Sequence, residues 1–249
     1  MATDDANNTA NRRRIVITKN GPYVVEGDIP LVRKTQVVSE HGEPLTWRKD
    51  GEIPVSREGY RLCRCGQSGN KPFCDDTHEK VEFDGTEDSD TSAEGSRKVE
   101  IPRGTGIIVE KDSSLCMLSG YCEFSDVGLS RMVASTQDTK MRALVMTMIE
   151  RCPAGALTYR TEAGGPDIEP DLPQQIAVTT EITSFGPIEG PLWVTGGIEI
   201  VRSDGQPFEP RNRVTLCNCG HSYNKPLCDG RHRDKAQEEE WRRRRRAEQ

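Results

Sequence analysis

The sequence predicts an α+β protein of three small modules, in which the outer two are copies of one β-rich unit and the middle one is unrelated to them. Three observations carry this. The string C-x-C-G-x-S-x-N-K-P-x-C-D-x-x-H is written twice, at residues 63–78 and 217–232. The nine cysteines divide without remainder into three groups of three: Cys63, Cys65 and Cys74; Cys116, Cys122 and Cys152; Cys217, Cys219 and Cys228. Apolar residues make up 33% of the chain and charged residues 30%, which suits small modules held around metal centres better than one large hydrophobic core.

Residues 1–13 are polar and rich in Asn and Arg, so a mobile end is expected there. Short β-like runs broken by Gly and Pro follow at residues 14–17, 23–25 and 36–38, and Arg61-Leu62 leads into Cys63. Gly21-Pro22-Tyr23-Val24-Val25 returns as Gly190-Pro191-Leu192-Trp193-Val194, so the repeat is a whole unit, a small β-structure followed by a ligand loop. Gly21 to Cys63 spans 42 positions and Gly190 to Cys217 spans 27, which puts about fifteen extra residues in the first copy, expected in a surface loop between Lys34 and Gly51.

Residues 84–96 are acidic, small and nearly free of apolar side chains, the composition of a solvated linker. A strand is expected at residues 106–110. Met141, Leu144, Val145, Met148 and Ile149 form the apolar stripe of a helix that must stop before Pro153. Residues 156–159 supply a strand to pair with the first. Met146 and its neighbouring methionines read as core filler. The tail offers Glu238 to Arg242, Glu239 to Arg243 and Glu240 to Arg244 as i, i+4 pairs on an exposed helix. The expected boundaries are 1–82 and 176–236 for the outer modules and 99–163 for the middle one. Linkers fall at 83–98 and 164–175, and a charged helical tail at 237–249.

A net charge of −6 argues against general nucleic-acid binding. No apolar run approaches the ~20 residues that span a bilayer, and no secretory signal is apparent. A soluble cytoplasmic protein is expected, with its cysteines as ligands rather than disulfides. The repeated loop is therefore a metal or cluster site. Structural zinc favours C-x2-C or wider knuckles; the tight Cys63-Arg64-Cys65 pair fits one metal of a two-iron centre, with Cys74 and His78 on the other. Their i, i+4 spacing predicts a shared helix face, with the helix starting near Cys74. His221, where the first copy has Gln67, reads as a residue supporting the ligands from outside or as exposed, and His41 as a turn residue.

Cys74-Asp75-Asp76-Thr77-His78 and Cys228-Asp229-Gly230-Arg231-His232, each with its upstream C-x-C, resemble the CDGSH iron-sulfur (mitoNEET-like) family. The first copy has Asp76-Thr77 for Gly-Ser, and the second has Arg231 for Ser. The resemblance implies a 2Fe-2S cluster on Cys63, Cys65, Cys74 and His78, and another on Cys217, Cys219, Cys228 and His232. Because single-motif members are homodimers with two clusters, two motifs in one chain imply an internal pseudo-dimer and a monomeric protein. One imidazole per cluster raises the reduction potential and couples ligation to pH. Cys116-x5-Cys122 with Cys152-Pro153 resembles a bacterial-type ferredoxin reduced to one cluster, Ser119 standing where a further cysteine would be. That implies a 3Fe-4S cluster, or a 4Fe-4S cluster with another fourth ligand.

The expected fold is thus two small β-rich CDGSH modules forming a pseudo-dimer, with a ferredoxin-like α+β module inserted. The expected function is electron transfer to or from a redox partner protein. The alternatives are iron-sulfur cluster donation to an apo acceptor, a pH or redox sensor, and a zinc-stapled interaction scaffold. No Gly-rich nucleotide loop, G-x-S-x-G or nucleophile-base signature argues for an enzyme.

Overall fold

The computed structural model of the chain describes residues 12–102, 104, 106–124 and 127–247. The expected mobile stretch at 1–13 lies, up to residue 11, outside the described residues. The protein is sheet-rich α+β with few helices. In the first copy run β1 (Arg14–Ile17), β2 (Tyr23–Glu26), β3 (Leu31–Val38), β4 (Pro44–Ile53) and β5 (Gly59–Leu62). The middle segment holds the short helix α1 (Glu94–Arg97), then β6 (Lys98–Glu100) and β7 (Ile108–Asp112). A two-residue pair follows, β8 (Glu123–Phe124) and β9 (Val127–Gly128). Next come α2 (Leu129–Val133), α3 (Thr139–Arg151) and β10 (Leu157–Arg160). The second copy supplies β11 (Gln175–Thr183), β12 (Gly186–Thr195), β13 (Glu199–Val201), β14 (Arg213–Leu216) and α4 (His232–Ala247).

The outer copies exchange strands. One sheet has the order β13-β1-β2-β5, the other β14-β12-β11-β3-β4. Each is a hairpin and its return strand from one copy, extended by a parallel strand from the other: Ile15 lies against Ile200 and Ile176 against Leu31. Leu31 and Ile200 hold equivalent places in the sequence repeat, so the exchange is reciprocal. Alternating burial along β1 and β2 turns Ile15, Ile17, Tyr23 and Val25 inward. They join Leu31, Ile176, Leu192, Val194 and Leu216 in one core. Burying each such side chain contributes about 1.5–3 kcal/mol, and neither copy assembles that core alone.

The extra residues of the first copy are not a loop, as the sequence had suggested. They form the antiparallel hairpin of β3 and β4, pairing Thr35 with Arg48 and Val37 with Thr46. The hydroxyl and β-branched side chains there fit a pleated edge better than a coil. Trp47 from this hairpin packs on Trp193 and Tyr121.

In the middle segment β7 pairs with β10 and β6, and α3 covers the sheet through Val145, Met148 and Ile149. The helix ends at Arg151, as the proline ahead of it requires. Asp138 caps its start by accepting a hydrogen bond from the Met141 N–H at 2.8 Å. The cysteine-bearing turns at Leu115, Met117, Cys152, Ala154 and Ala156 leave this local core and enter that of the outer sheets. Residues 84–96 are pinned rather than freely solvated. Gly85 O accepts from Arg64, the Ser203 N–H donates to Glu87, and the Ser89 N–H donates to Lys225 O.

Along the tail, Arg242 pairs with Glu238 as expected. Arg243, however, reaches Glu240, one residue closer, rather than Glu239, and Glu239 contacts Lys235 instead. The Glu240–Arg244 pair lies outside the described side chains. No helix among the described residues is long and apolar enough to cross a membrane.

Candidate metal centres

Each ligand loop is folded by the letters that the two copies share. The Ser68 hydroxyl donates to Phe73 O at 2.6 Å and accepts from the Asn70 N–H; Ser222 does the same to Leu227 O at 2.7 Å and from the Asn224 N–H. Asp75 accepts from the N–H groups of Gly69 and Thr77, and Asp229 from those of Tyr223 and Arg231. The main chain repeats as well: Cys63 N–H to Pro72 O and Cys217 N–H to Pro226 O, both 2.8 Å. Cys74 N–H to Arg61 O and Cys228 N–H to Thr215 O are both 3.0 Å. Ser, Asp and Pro in the motif are thus the scaffold that presents the cysteines.

The donors fall into two close pairs in each loop. Cys63 Sγ and Cys65 Sγ are 3.8 Å apart, and Cys217 Sγ and Cys219 Sγ 3.7 Å. Cys74 Sγ lies 3.4 Å from His78 Nδ1, and Cys228 Sγ 3.4 Å from His232 Nδ1. Two sulfurs bound at ~2.3 Å to one tetrahedral ion sit about 3.8 Å apart, and a sulfur and an imidazole nitrogen about 3.5 Å. Each pair therefore has the edge length of one metal's coordination sphere. The pairs are separated: among the described residues, neither loop brings three of its four donors within 4.8 Å of one another. Cys74 and His78 do so only with Asp76, whose carboxylate is engaged by Arg61 at 2.7 and 3.0 Å.

The expected helix at Cys74 is not formed. Asp76 takes a φ of 63°, and only a 3₁₀ turn, Thr77–Glu79, follows. In the second copy Gly230 has a φ of 92°, and α4 begins at His232 itself. A left-handed residue midway between cysteine and histidine interrupts helical geometry, and the tight turn brings the i, i+4 donors together instead. The thiols feel this environment. The Cys219 thiol beside it and the N–H groups of Ser222, Cys219 and Gly220 that point at the Cys217 sulfur lower its pKa, against burial, to about 6. Burial pushes the Cys74 and Cys228 thiols up, although the Asp76 and Gly230 amides point at their sulfurs.

The loops lie back to back. A Cβ on Gly66 would fall 2.1 Å from Cys219 O, and one on Gly220 2.4 Å from Cys65 O, with φ of 76° and 81°. Glycine is required at both by close approach and by conformation. Tyr23 from the first copy donates to Cys217 O at 2.7 Å. Lys71 of the first loop and Asn218 of the second share Glu189. Their surroundings then diverge. Cys74 and His78 are half-buried, whereas Cys228 and His232 are 2% and 4% exposed. A cleft of about 400 Å³, lined in part by Lys71, Glu189, Cys219, His232 and Lys235, approaches the second loop.

Cys116, Cys122 and Cys152 come within electrostatic reach of one another: burial, and then the neighbouring Cys152 and Cys116, raise the Cys122 thiol. Burial also raises Cys152, against the charge of Arg213. Ser119 lies on the rim of an open pocket of about 620 Å³ beside Gly120 and Glu181. Arg213, itself 1% exposed, donates to Cys152 O, Ile149 O and Leu157 O. Asn224 donates to Ser114 O and Arg233 to Met117 O, so the Cys116 turn is fastened to the second ligand loop. The side chains of His221 and His41 are exposed.

Sequence reasoning missed Glu181, Arg233, Arg213, Glu189 and Tyr23, whose contacts join segments distant along the chain. The one signal present was the glycine after each C-x-C.

Duplicated loops of three cysteines and one histidine, folded on their own hydrogen-bond scaffold, define two like candidate metal sites. Residues 20–79 and 189–233 match the family model described as iron-binding zinc finger CDGSH type. The chain thus carries two CDGSH-type iron-binding regions. The segment between the matches lies outside that family model. A search of the curated proteins finds no significant match.

Proposed function

We propose that the chain is an electron-transfer protein with a 2Fe-2S cluster at each ligand loop, held by Cys63, Cys65, Cys74 and His78 and by Cys217, Cys219, Cys228 and His232. The observation that carries this is the splitting of donors into two edge-length pairs. Four donors on one zinc ion would all lie within about 4 Å of one another, whereas two linked irons need two separate pairs. The cluster supplies a one-electron couple; the chain's own residues determine how that couple is presented. Amides aimed at Cys74 and Cys228 stabilise sulfur charge and tune the potential. The back-to-back glycines hold the two loops close enough for electrons to pass between them.

A third cluster, 3Fe-4S or 4Fe-4S, is proposed at Cys116, Cys122 and Cys152, supported by the packing of Cys116 and Cys152 against one core. The redox partner is a protein, and the chain itself acts as a monomeric pseudo-dimer. A second reading, donation of a cluster to an apo acceptor, is favoured by the half-buried Cys74 and His78. Iron and acid-labile sulfide per chain after anaerobic purification, with EPR on the same sample, test the proposal. About seven irons and eight sulfides, with an oxidised-state signal near g ~2.01, are expected for a 3Fe-4S middle centre. About eight of each, without that signal, mark a 4Fe-4S centre. About four of each remove the middle centre, and zinc without sulfide overturns the redox role.

A further inference from the structure

The hairpin of β11 and β12 extends beyond its counterpart. In the first copy β1 and β2 are joined by a tight turn in which Thr18 N–H meets Pro22 O; in the second, β11 runs on to Thr183 before β12 begins at Gly186. That extension carries Glu181, which is 2% exposed. Its Oε2 lies 3.0 Å from His232 Nε2 and 2.7 Å from Arg233 Nε, and Arg233 is itself held by Met117 O at 2.7 Å. Neither Glu181 Oε1 nor His232 Nε2 has a well-aligned hydrogen bond. A buried carboxylate that is incompletely satisfied costs stability, so core packing does not account for it. In the first copy, Gly21 occupies the space beside His78, its Cβ position 3.5 Å from Nε2. Of the carboxylates near it in sequence, Asp76 is turned to Arg61 and Glu79 is exposed.

We propose that Glu181 is a positioning residue for His232, fixing the ring with Nδ1 toward the centre, and that it makes the C-terminal centre the slow-releasing member of the pair. A carboxylate behind a ligating imidazole holds the tautomer and the ring orientation and strengthens the ligand. The N-terminal centre, whose histidine has Gly21 beside its Nε2, is the one that gives up its metal to an acceptor or chelator. This rests on the two-centre reading above.

The test is metal loss to a chelator from the anaerobically purified full chain, in the parent, E181A and E181Q. The phases of the two centres are identified by their disappearance in C74S and in C228S. The C-terminal phase is expected to be the slower one. E181A accelerates it roughly 10–100-fold and leaves the N-terminal phase unchanged. E181Q, which keeps the shape and an acceptor for Arg233, moves the same phase in the same direction and alters the EPR signal of only one reduced 2Fe-2S centre. An unchanged C-terminal phase in both variants overturns the proposal. So does equal acceleration of both phases, which marks general loosening. If the chain carries zinc without sulfide, the redox reading fails while the same comparison of zinc-loss phases still decides the role of Glu181. A chain that binds no metal overturns both.

Discussion

At residues 63–78 the ligand loop ends in one 3₁₀ turn with Cys74 and His78 half-buried, whereas at 217–232 the same letters lead into the sixteen-residue helix α4 with Cys228 and His232 buried. The hydrogen bonds made by the shared Ser, Asp and cysteine N–H groups recur in both loops, so the difference in burial comes mainly from what packs outside them. The second loop is closed on one side by the first and on another by the Cys116 and Cys152 turns, through Asn224, Arg233 and Arg213. The first has the second loop behind it and leaves its histidine edge half-open. A duplicated motif thus gives equal ligand sets and unequal access, because access belongs to neighbours the motif does not encode.

The comparison is broken most severely where the loops touch. Gly66→Ala would place a methyl against Cys219 O in a left-handed residue, and we expect destabilisation of about 3 kcal/mol or more with loss of metal from both centres. Thermal melting and metal content of the full chain measure it; loss confined to the N-terminal centre would show that the loops are independent.

Next comes the link that only the second copy has. Arg213→Ala removes donors to three buried carbonyls around Cys152 and the partner of Glu169, with an expected cost of about 3–5 kcal/mol. The middle centre should be lost before the N-terminal one, as read by iron content and denaturant unfolding.

Ligand removal sharpens the contrast further. Cys74→Ser and Cys228→Ser should each remove one centre's metal. Only Cys228→Ser should also lower the stability of the metal-free chain, by about 1–3 kcal/mol, because its hydroxyl would enter the main core. Equal melting temperatures of the two metal-free variants would contradict the difference in burial.

The smallest effect separates the two scaffold serines. Ser222, 1% exposed, leaves the Asn224 N–H and Leu227 O without their partner when changed to Ala, at a cost of about 1–3 kcal/mol. Ser68→Ala, nearer solvent, should cost about 0.5–1.5 kcal/mol. Denaturant midpoints decide between them.

By itself the sequence determined the duplication, the three groups of cysteines, the pairing of C-x-C with C-x3-H, and α3 with its stop before Pro153. These are local: ligand spacing, apolar periodicity and proline geometry act within a few residues, and the shared Ser, Asn and Asp fold each loop from its own hydrogen bonds. It could not place a helix correctly at Cys74, because one left-handed residue, Asp76, outweighs an i, i+4 spacing. Nor did it reveal that residues 35–49 form a hairpin or that residues 84–96 are docked. Only the tertiary structure decided the exchange of β3 and β13 between sheets, the contact of Gly66 with Cys219, and the placing of Glu181 over His232. Those depend on burial and pairing between segments fifty or more residues apart, for which neither periodicity nor spacing carries a signal.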